Sequence, residues 1–263
     1  MKEIITSKNN PLVKNIVKLL NSSKHRNKNK LFVVEGLRLC RDAMLSSAEI
    51  KYLIYSDSAM QKYSRHINDI ANCSELCYQV SDNVFLDMSD TISPQGVMCV
   101  CKMLDKNVYV DKIGNVGKLI VLEDIQDPSN MGTILRTAEA LGIDDVILSS
   151  NCCDIYNPKV LRGSMGAVFR VNILMSDDIP SLIDKFNKLG FDTYATLPSF
   201  NAQHINKVKF SNKSISVIGN EANGITEQTI DRCSYKITVP MLGRAESLNA
   251  STAASIVMWE MIR

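Results

Sequence analysis

The chain has few of the features that mark membrane, secreted or zinc-binding proteins. It contains no run of about 18 apolar residues, which a membrane-spanning helix needs, and its amino terminus lacks the apolar segment of a secretory signal. The three histidines are scattered, and no two cysteines have the C-x-x-C spacing of a zinc site. We therefore expect a cytoplasmic protein with no metal site and with reduced, buried thiols at its eight cysteines.

A glycine-rich G-x-G-x-x-G fingerprint is also missing after every apolar run, which counts against a nicotinamide or flavin enzyme. Glu123, Asp124 and Asp127 lie near one another, but no second carboxylate cluster supports a magnesium site. The 263 residues are 45% hydrophobic and 22% charged, which is ordinary for one or two globular domains.

Positive charge is concentrated at the amino terminus. The net charge of the chain is only +2, yet residues 1–30 carry seven lysines and one arginine against Glu3, a local charge of +7. Such a basic segment on a near-neutral body is what contact with a polyanion requires. The alternative is a solvated surface helix followed by a lysine-rich loop, because charge runs often serve only solubility.

The amino-terminal third is predicted to be a small α/β/α domain, residues 1–104. Asn10 and Pro11 indicate the start of a helix, and residues 21–30 are predicted to be a flexible basic loop before a buried strand at Leu31–Val34. Helical and apolar segments then alternate. Residues 105–118 are polar, show no sustained period and are predicted to be a linker.

The alternation restarts in residues 119–263, the second predicted domain. Six near-continuous apolar runs separated by helical segments predict a mostly parallel sheet covered on both faces, and a last helix is predicted from Ser247 to Ile262. The fold class is therefore α/β.

Three polar stretches follow apolar strands, at positions where α/β folds gather ligand-binding loops. In residues 127–142, Asn130 is predicted to cap a helix that begins at Met131 or Gly132, and Arg136 lies one and a half turns further on. A helix start beside an arginine suits a phosphate. Taken alone, the stretch is equally a capped surface helix.

The other two stretches are residues 218–225 and 239–251. Glycines at both ends of residues 219–224 permit close approach of a ligand to the backbone, and Glu221 adds a carboxylate. In the third stretch, Ser247 and Asn249 lie at the predicted start of a helix rich in small residues. Each stretch alone is also explained by an ordinary turn.

Together, in this order, the stretches resemble the three motifs of the SpoU (TrmH) family of SPOUT RNA ribose 2′-O-methyltransferases. The resemblance covers residues 119–263, and Arg162–Ala167 resembles a smaller signature of the family. The matching residues are Asn130, Gly132 and Arg136, then Gly219, Asn220, Glu221 and Gly224, then Pro240, Met241, Gly243, Ser247, Leu248, Asn249 and Ser251. Residues 1–104 resemble the L30e-like substrate-binding domain of the ribosomal RNA members.

The resemblance implies a deep trefoil knot, a homodimer, and methyl transfer from S-adenosylmethionine to a ribose 2′-hydroxyl of ribosomal RNA of the 23S type. The implied catalytic residues are Arg136, which clamps a phosphate, and Asn130, Glu221, Ser247 and Asn249, which orient the nucleotide. The implied cofactor-binding residues are Thr196, Leu197, Ile218, Gly219, Asn220, Gly224, Val239, Met241, Gly243 and Leu248. The implied RNA-binding residues are Lys14, Lys18, Lys24, Arg26, Lys28 and Lys30.

Two alternatives stay open on the sequence. In the first alternative the substrate is a transfer RNA, and the L30e-like domain speaks against it. In the second, the chain is a non-catalytic RNA-binding or ribosome-assembly protein that retains the fold. Intact Arg136, Glu221 and Asn249 disfavour the second alternative.

Overall fold

A computed structural model describes residues 4–104, 117–199 and 201–263. They form two compact units: the described residues of Met1–Asp105 with Tyr156–Phe169, and those of Lys106–Ile155 with Arg170–Arg263. The contiguous division predicted from the sequence does not anticipate that Tyr156–Phe169 joins the first unit. The predicted linker lies outside the described residues, apart from Gly117 and Lys118.

Helices and strands alternate along the whole chain. Up to residue 104 the elements are α1 (Pro11–Asn21), α2 (Ser23–Asn29), β1 (Leu31–Glu35), α3 (Leu37–Leu45), β2 (Ile50–Ser56), α4 (Asp57–Ala71), β3 (Ser74–Val80), α5 (Asp82–Met88) and β4 (Val97–Lys102). From residue 117 they are β5 (Lys118–Leu122), α6 (Pro128–Ala140), β6 (Asp145–Ser149), α7 (Pro158–Gly163), β7 (Asn172–Ser176), α8 (Ile179–Lys188), β8 (Asp192–Thr196), β9 (Gln203–His204), β10 (Ser214–Ile218), α9 (Glu227–Arg232), β11 (Tyr235–Thr238) and α10 (Ala250–Ile262).

The first unit is built on a four-stranded sheet of order β1-β4-β2-β3. Strand β4 is antiparallel to β1 and β2, and β2 is parallel to β3. One face is covered by the apolar sides of α1 and α5, with Ile16 and Phe85 fully buried. On the segment that returns to this unit, Tyr156 places its ring 4.5 Å from the ring of Phe32.

The prediction of a flexible loop at residues 21–30 is wrong. The segment forms helix α2, because the Ser22 side chain accepts a 3.2 Å hydrogen bond from the His25 amide and so caps the new helix. Lys30 ends it in the left-handed region, with φ of 55°. Helix α5 is a further element that the sequence analysis does not predict.

The second unit contains a seven-stranded sheet of order β7-β6-β5-β10-β8-β11-β9. Every pairing in it is parallel, which confirms the α/β prediction; the two-residue β9 is additional. All six predicted strands are present. A core of aliphatic side chains with Phe186 and Phe191 lies against one face.

The strand order places β10 between β5 and β8, so that chain segments far apart in sequence become neighbours. Because parallel strands end at one edge of the sheet, the loops after β5, β10, β8 and β11 leave side by side. All three sequence motifs lie in or directly after these loops. The trefoil knot implied by the resemblance stays a prediction.

None of the eight cysteines, all of which lie in the described ranges, forms a disulfide. Cys40, Cys99 and Cys101 are buried as predicted, whereas Cys73 is exposed, which corrects the expectation of uniformly buried thiols. Of the helices in the described ranges, none has the length and apolar character needed to cross a membrane.

Candidate active site

Three of the predicted catalytic side chains form a continuous hydrogen-bonded series. Asn249 Nδ2 donates a 2.9 Å bond to Asn130 Oδ1, and Asn130 Nδ2 donates a 2.9 Å bond to Glu221 Oε1. Asn130 is only 5% exposed, so both ends of its amide are fixed. One residue from each of the three motifs is therefore held in a single network.

Glu221 also accepts hydrogen bonds from backbone amides just before α6. The amides of Gln126 and Asp127 donate to its two carboxylate oxygens, each at 3.3 Å. Partial burial raises the pKa of Glu221, but the hydrogen bonds from Asn130 and from these amides outweigh burial and lower the pKa below its ordinary value. The side chain therefore stays a carboxylate at neutral pH and ties the 219–224 loop to α6.

Helix α6 begins earlier than predicted, and Asn130 is not its cap. Asp127 is the N-cap, since its side chain accepts a 2.8 Å bond from the Ser129 amide, and Pro128 occupies the first helical position. Asn130 thus lies in the first turn, with its amide free to join Glu221 and Asn249. Capping by a residue three positions earlier is what makes the network possible.

Arg136, unlike Asn130, Glu221 and Asn249, has no hydrogen-bond or ion-pair partner among the described residues. It lies six residues, or about 9 Å of helical rise, beyond Asn130 on α6. The residue is exposed, and no described residue accepts a hydrogen bond from it or forms an ion pair with it. The guanidinium is therefore available to an external anion.

The 219–224 loop is closed by its own backbone. Asn220 and Gly224 exchange two backbone hydrogen bonds of 2.9 and 3.0 Å, and Asn220 Nδ2 donates a 2.7 Å bond to the Asp124 carbonyl. A Cβ on Gly219 would lie 2.2 Å from the Gly224 carbonyl carbon, and Gly224 has φ of 71°. Both glycines are thus required by the conformation of the loop itself. The sequence analysis instead explained them by the close approach of a ligand to the backbone.

The predicted cofactor residues lie at the ends of three neighbouring strands, β10, β8 and β11. Ile218 is the last residue of β10, Thr196 is the last of β8, and the Leu197 amide donates a 2.9 Å bond to the Ile237 carbonyl of β11. Val239 follows β11 directly. The Thr196 Oγ1 atom is buried and has no hydrogen-bond partner among the described residues. A polar atom left in this state points to a ligand that supplies the partner.

The remaining motif residues line the loop between β11 and α10. Met241 and Leu248 are half-buried, whereas Gly243 and Ser247 are exposed. Helix α10 starts at Ala250 with Asn249 as its N-cap, so the prediction that Ser247 begins the helix is wrong. The Asn249 side chain is the better cap because its Oδ1 accepts from both the Ser251 and the Thr252 amides. No hydrogen bond between described residues joins Ser247 to the network.

The acidic residues after β5 have structural roles. Glu123 is 4% exposed and accepts bonds from the Thr226 amide and hydroxyl and from the Thr229 hydroxyl, which fixes α9. Asp124 accepts a 2.5 Å bond from Ser149. No cluster of metal-binding side chains exists in the described part of the chain. Sequence reasoning misses Glu123 as a support of the site, because its threonine partners lie more than 100 positions away.

The predicted RNA-binding lysines are exposed, but the arginine among them is not. Arg26 is 3% exposed, and its guanidinium donates to the carbonyls of Leu19 and Leu20 at 2.7 and 3.0 Å. It satisfies the end of α1, where the last carbonyls have no partner within the helix. The prediction that Arg26 contacts RNA is therefore corrected: it joins α1 to α2. The exposed cations are Lys14, Lys18, Lys24, Lys28 and Lys30.

The parallel sheet, the three joined loops and an arginine without a described partner define an α/β protein with a ligand site at one edge of its sheet, and its similarity to known proteins makes it a methyltransferase. The profile of the SpoU rRNA Methylase family matches residues 117–259, more than half of the chain, and the chain belongs to this family. A second profile, that of the MRM3-like substrate binding domain, matches residues 10–99.

Similar proteins cover the whole chain. It is 30% identical to the 23S rRNA (guanosine(2553)-2′-O)-methyltransferase RlmP of Bacillus subtilis. The alignment runs over 261 residues and covers 99% of each chain. A crystal structure of an rRNA methyltransferase from Sinorhizobium meliloti is similar, with a TM-score of 0.85 and 25% identity over 98% of this chain and 96% of that one. The AdoMet-bound form of that methyltransferase gives a TM-score of 0.83 at 25% identity, over 98% and 97% of the two chains. S-adenosylmethionine is the cofactor of the family, and the orphaned Thr196 hydroxyl at the predicted edge fits a bound ligand.

Proposed function

We propose that the chain transfers a methyl group from S-adenosylmethionine to a ribose 2′-hydroxyl of 23S-type ribosomal RNA. The observation that carries the proposal is the bonded series of Asn249, Asn130 and Glu221, with Arg136 further along α6 and without a partner among the described residues. The similarity to RlmP and the match to a substrate binding domain support ribosomal RNA as the substrate. A cytoplasmic location belongs to the same proposal.

The residues that would hold the cofactor are those at the ends of β8, β10 and β11. Thr196 offers an unused hydroxyl, and the backbone of Leu197, Gly219 and Val239 lines the same edge. The remaining candidates are Ile218, Asn220, Gly224, Met241, Gly243 and Leu248. When bound there, S-adenosylmethionine supplies an electrophilic methyl group on a sulfonium.

The protein's own contribution is to position the hydroxyl. Arg136 is permanently charged and a poor proton acceptor, so its role is to clamp the nucleotide phosphate through its planar fork. Asn130 and Asn249 hold the loops, and Ser247 contacts the nucleotide from the loop before α10. Orientation alone supplies several kcal/mol of a reaction barrier.

Glu221 acts in this proposal as a positioning residue. Its carboxylate oxygens accept hydrogen bonds from Asn130 and from the Gln126 and Asp127 amides, and its lowered pKa makes it a weak base. The proton of the hydroxyl is therefore not assigned to Glu221.

The exposed lysines of α1 and α2 would contact the RNA backbone. Lys14 and Lys18 lie on the face of α1 opposite its buried residues, and Lys24, Lys28 and Lys30 follow on and after α2. None forms an ion pair with a described residue. A row of unpaired cations suits a polyanion.

The protein is also proposed to form a homodimer through α6 and α10. These helices pack together in the second unit, with Thr137 and Ser255 hydroxyls 3.4 Å apart. On α10, Trp259 is 55% exposed and Ile262 is 37% exposed, so the helix still presents apolar surface. A second copy of the same helix pair would cover it.

The experiment is methyl transfer in vitro. The full chain, labelled S-adenosylmethionine and 23S rRNA from cells lacking the gene are combined, and ribose methylation is mapped by mass spectrometry. One new 2′-O-methyl nucleotide in 23S rRNA, and none in transfer RNA, is expected. Methylation of transfer RNA alone, or none, contradicts the proposal. Light scattering of the same sample tests the dimer.

A further inference from the structure

A cavity of about 700 Å³ lies at the ends of three neighbouring strands, β6, β5 and β10. Its lining residues come from the loops after these strands and from the start of α9. The volume is in the range of small-molecule sites, about 300–1,000 Å³. Asn130, Glu221 and Asn249 are not among the lining residues. The cavity is therefore separate from the hydrogen-bonded network and has yet to be given a role.

The strand order places this cavity and the proposed cofactor site on opposite sides of β10. The cofactor candidates lie at the ends of β10, β8 and β11, whereas the cavity lies at the ends of β6, β5 and β10. The 219–224 loop after β10 is common to both. It also carries Glu221 of the network. A substrate group in the cavity would thus contact the loop that the cofactor contacts from the other side.

The wall formed by the 219–224 loop is fixed by Asn220. Its Oδ1 atom accepts hydrogen bonds from the Ala222 and Asn223 amides at 2.8 and 3.0 Å. Its Nδ2 atom donates to the Asp124 carbonyl, so both ends of this amide are in use. The backbone on this side of the cavity is therefore held in place by the protein itself.

The opposite wall is a second hydrogen-bonded series. Gln126 Nε2 donates a 2.5 Å bond to the Asn151 carbonyl, and Asn151 Nδ2 donates a 3.4 Å bond to Asp124 Oδ2. Ser149 holds the other oxygen of the Asp124 carboxylate. Both walls are therefore formed before any ligand binds.

Two other lining residues, Asn223 and Glu227, have unused polar side chains. Both are exposed, and no described residue forms a hydrogen bond or an ion pair with either side chain. Three carboxylates line the cavity, those of Glu123, Asp124 and Glu227, and no described lysine, arginine or histidine does. The cavity therefore repels phosphate and suits a neutral group that carries N–H donors.

The cavity also has room for a flat ring. Gly224 lines it without a side chain, and a Cβ at this position would meet no other atom within 4 Å. Ile225, which is 6% exposed, adds an apolar edge. A planar ring can therefore lie against bare backbone while its edge faces Asn223 and Glu227. A nucleobase turned out of its RNA strand has this combination of a flat apolar face and a polar edge.

We propose that the cavity holds the base of the methylated nucleotide and selects guanine, with Glu227 as the residue that recognises it. Guanine has two neighbouring donors on its Watson–Crick edge, N1–H and the 2-amino group, and one carboxylate accepts from both. Its O6 atom accepts from an amide such as that of Asn223. The other three bases offer a single donor group on this edge and leave one carboxylate oxygen unpaired. The proposal rests on the proposed function, because it names the base of that substrate.

The test uses two short single-stranded uridine RNAs, one with a central guanosine and one with a central inosine. Inosine differs from guanosine only by lacking the 2-amino group, so the protein is unchanged in the first comparison. By fluorescence anisotropy, the full chain should bind the inosine RNA about tenfold more weakly. Glu227→Gln should bind the two RNAs within about twofold of each other. Asp231→Asn, which removes the same charge from α9 but does not line the cavity, should keep the preference of the wild type.

The outcomes separate this proposal from the proposed function. Equal affinity of the wild type for the two RNAs, or a preference that persists in Glu227→Gln, overturns the guanine contact whatever the chain methylates. A mapped target nucleotide other than guanosine also overturns it and leaves the proposed function intact. A wild-type chain that prefers the guanosine RNA but methylates no ribosomal RNA overturns the proposed function and supports the base contact.

Discussion

Asn249 caps α10 with its Oδ1 atom and, with its Nδ2 atom, donates to Asn130 on α6. One side chain thus both starts the last helix and completes the hydrogen-bonded network of the three motifs. The two roles use opposite ends of the amide, and they can be separated by mutation.

Asn249→Asp should keep the cap, because aspartate is as good an N-cap as asparagine, and lose the bond to Asn130. We expect an unfolding midpoint close to wild type and turnover reduced at least tenfold. Asn249→Ala should lose both roles, with about 1 kcal/mol of stability removed in addition. Thermal unfolding and methyl-transfer rates measure the two effects. Full activity in Asn249→Asp would show that the bond to Asn130 is dispensable.

Arg136→Ala should strongly reduce turnover, with little change in stability or in cofactor affinity. The residue is exposed and has no described partner, so stability should not change, and it belongs to α6 rather than to the strand ends at which the cofactor is proposed to bind. We expect kcat to fall by about 100-fold or more, with the Kd for S-adenosylmethionine within twofold of wild type by calorimetry. Arg65→Ala, on the exposed side of α4, is the control. Equal losses in turnover and cofactor affinity would contradict the phosphate-clamp role.

Gly219→Ala should disrupt the 219–224 loop. The new Cβ would meet the Gly224 carbonyl carbon at 2.2 Å, a backbone clash that no side-chain rotation relieves. We expect a loss of about 1–3 kcal/mol of stability and a large loss of cofactor affinity. Gly243→Ala has open space around its Cβ and should fold as wild type does. Comparable stabilities for the two variants would mean that the loop opens at little cost.

The amino-terminal cations should divide into two classes. Replacing Lys14, Lys18 and Lys28 by alanine should reduce the salt dependence of RNA binding by about 0.7–0.9 in log-log slope per contact, without changing stability. Arg26→Ala should lower stability without changing the salt dependence of RNA binding, because it leaves the Leu19 and Leu20 carbonyls without their buried donor. RNA titrations at several salt concentrations and urea unfolding distinguish the classes. A lower salt slope in Arg26→Ala alone would restore this residue to the RNA surface.

Glu221 should make stability depend on pH in the acid range. Its pKa is lower in the folded chain than the ordinary value of 4.5, so the unfolded chain binds the proton first. The stabilisation is complete above the ordinary value and is lost as pH falls through the lowered folded value. Urea unfolding from neutral pH to about pH 3 should show a shallower loss in Glu221→Gln. Parallel curves for the two proteins would mean that the network does not favour the carboxylate.

Much of the second unit is predictable because its strands are continuous apolar runs and its loops carry polar residues at the strand ends. The pattern locates Asn130, Glu221 and Asn249 at the ends of separate strands or at helix starts. It does not reveal that they touch, because contact depends on β10 lying between β5 and β8. Strand order is a long-range property, which local periodicity does not contain.

The errors in the first unit have a local cause. Residues 21–30 are polar throughout, so hydrophobic periodicity offers no sign of α2, and the Ser22 cap decides the structure. Once α2 forms, Arg26 faces the end of α1 and is buried. Charge alone predicts that a residue is exposed. The prediction fails where the side chain can donate a hydrogen bond to a backbone carbonyl that has no other partner.

The insertion of β10 between β5 and β8 also governs when the enzyme first becomes active in the cell. Asn130 leaves the ribosome 119 residues before its partner Asn249, and the central strand of its own sheet is still to be made. A nascent chain therefore has an incomplete sheet and no assembled centre until synthesis has passed Asn249.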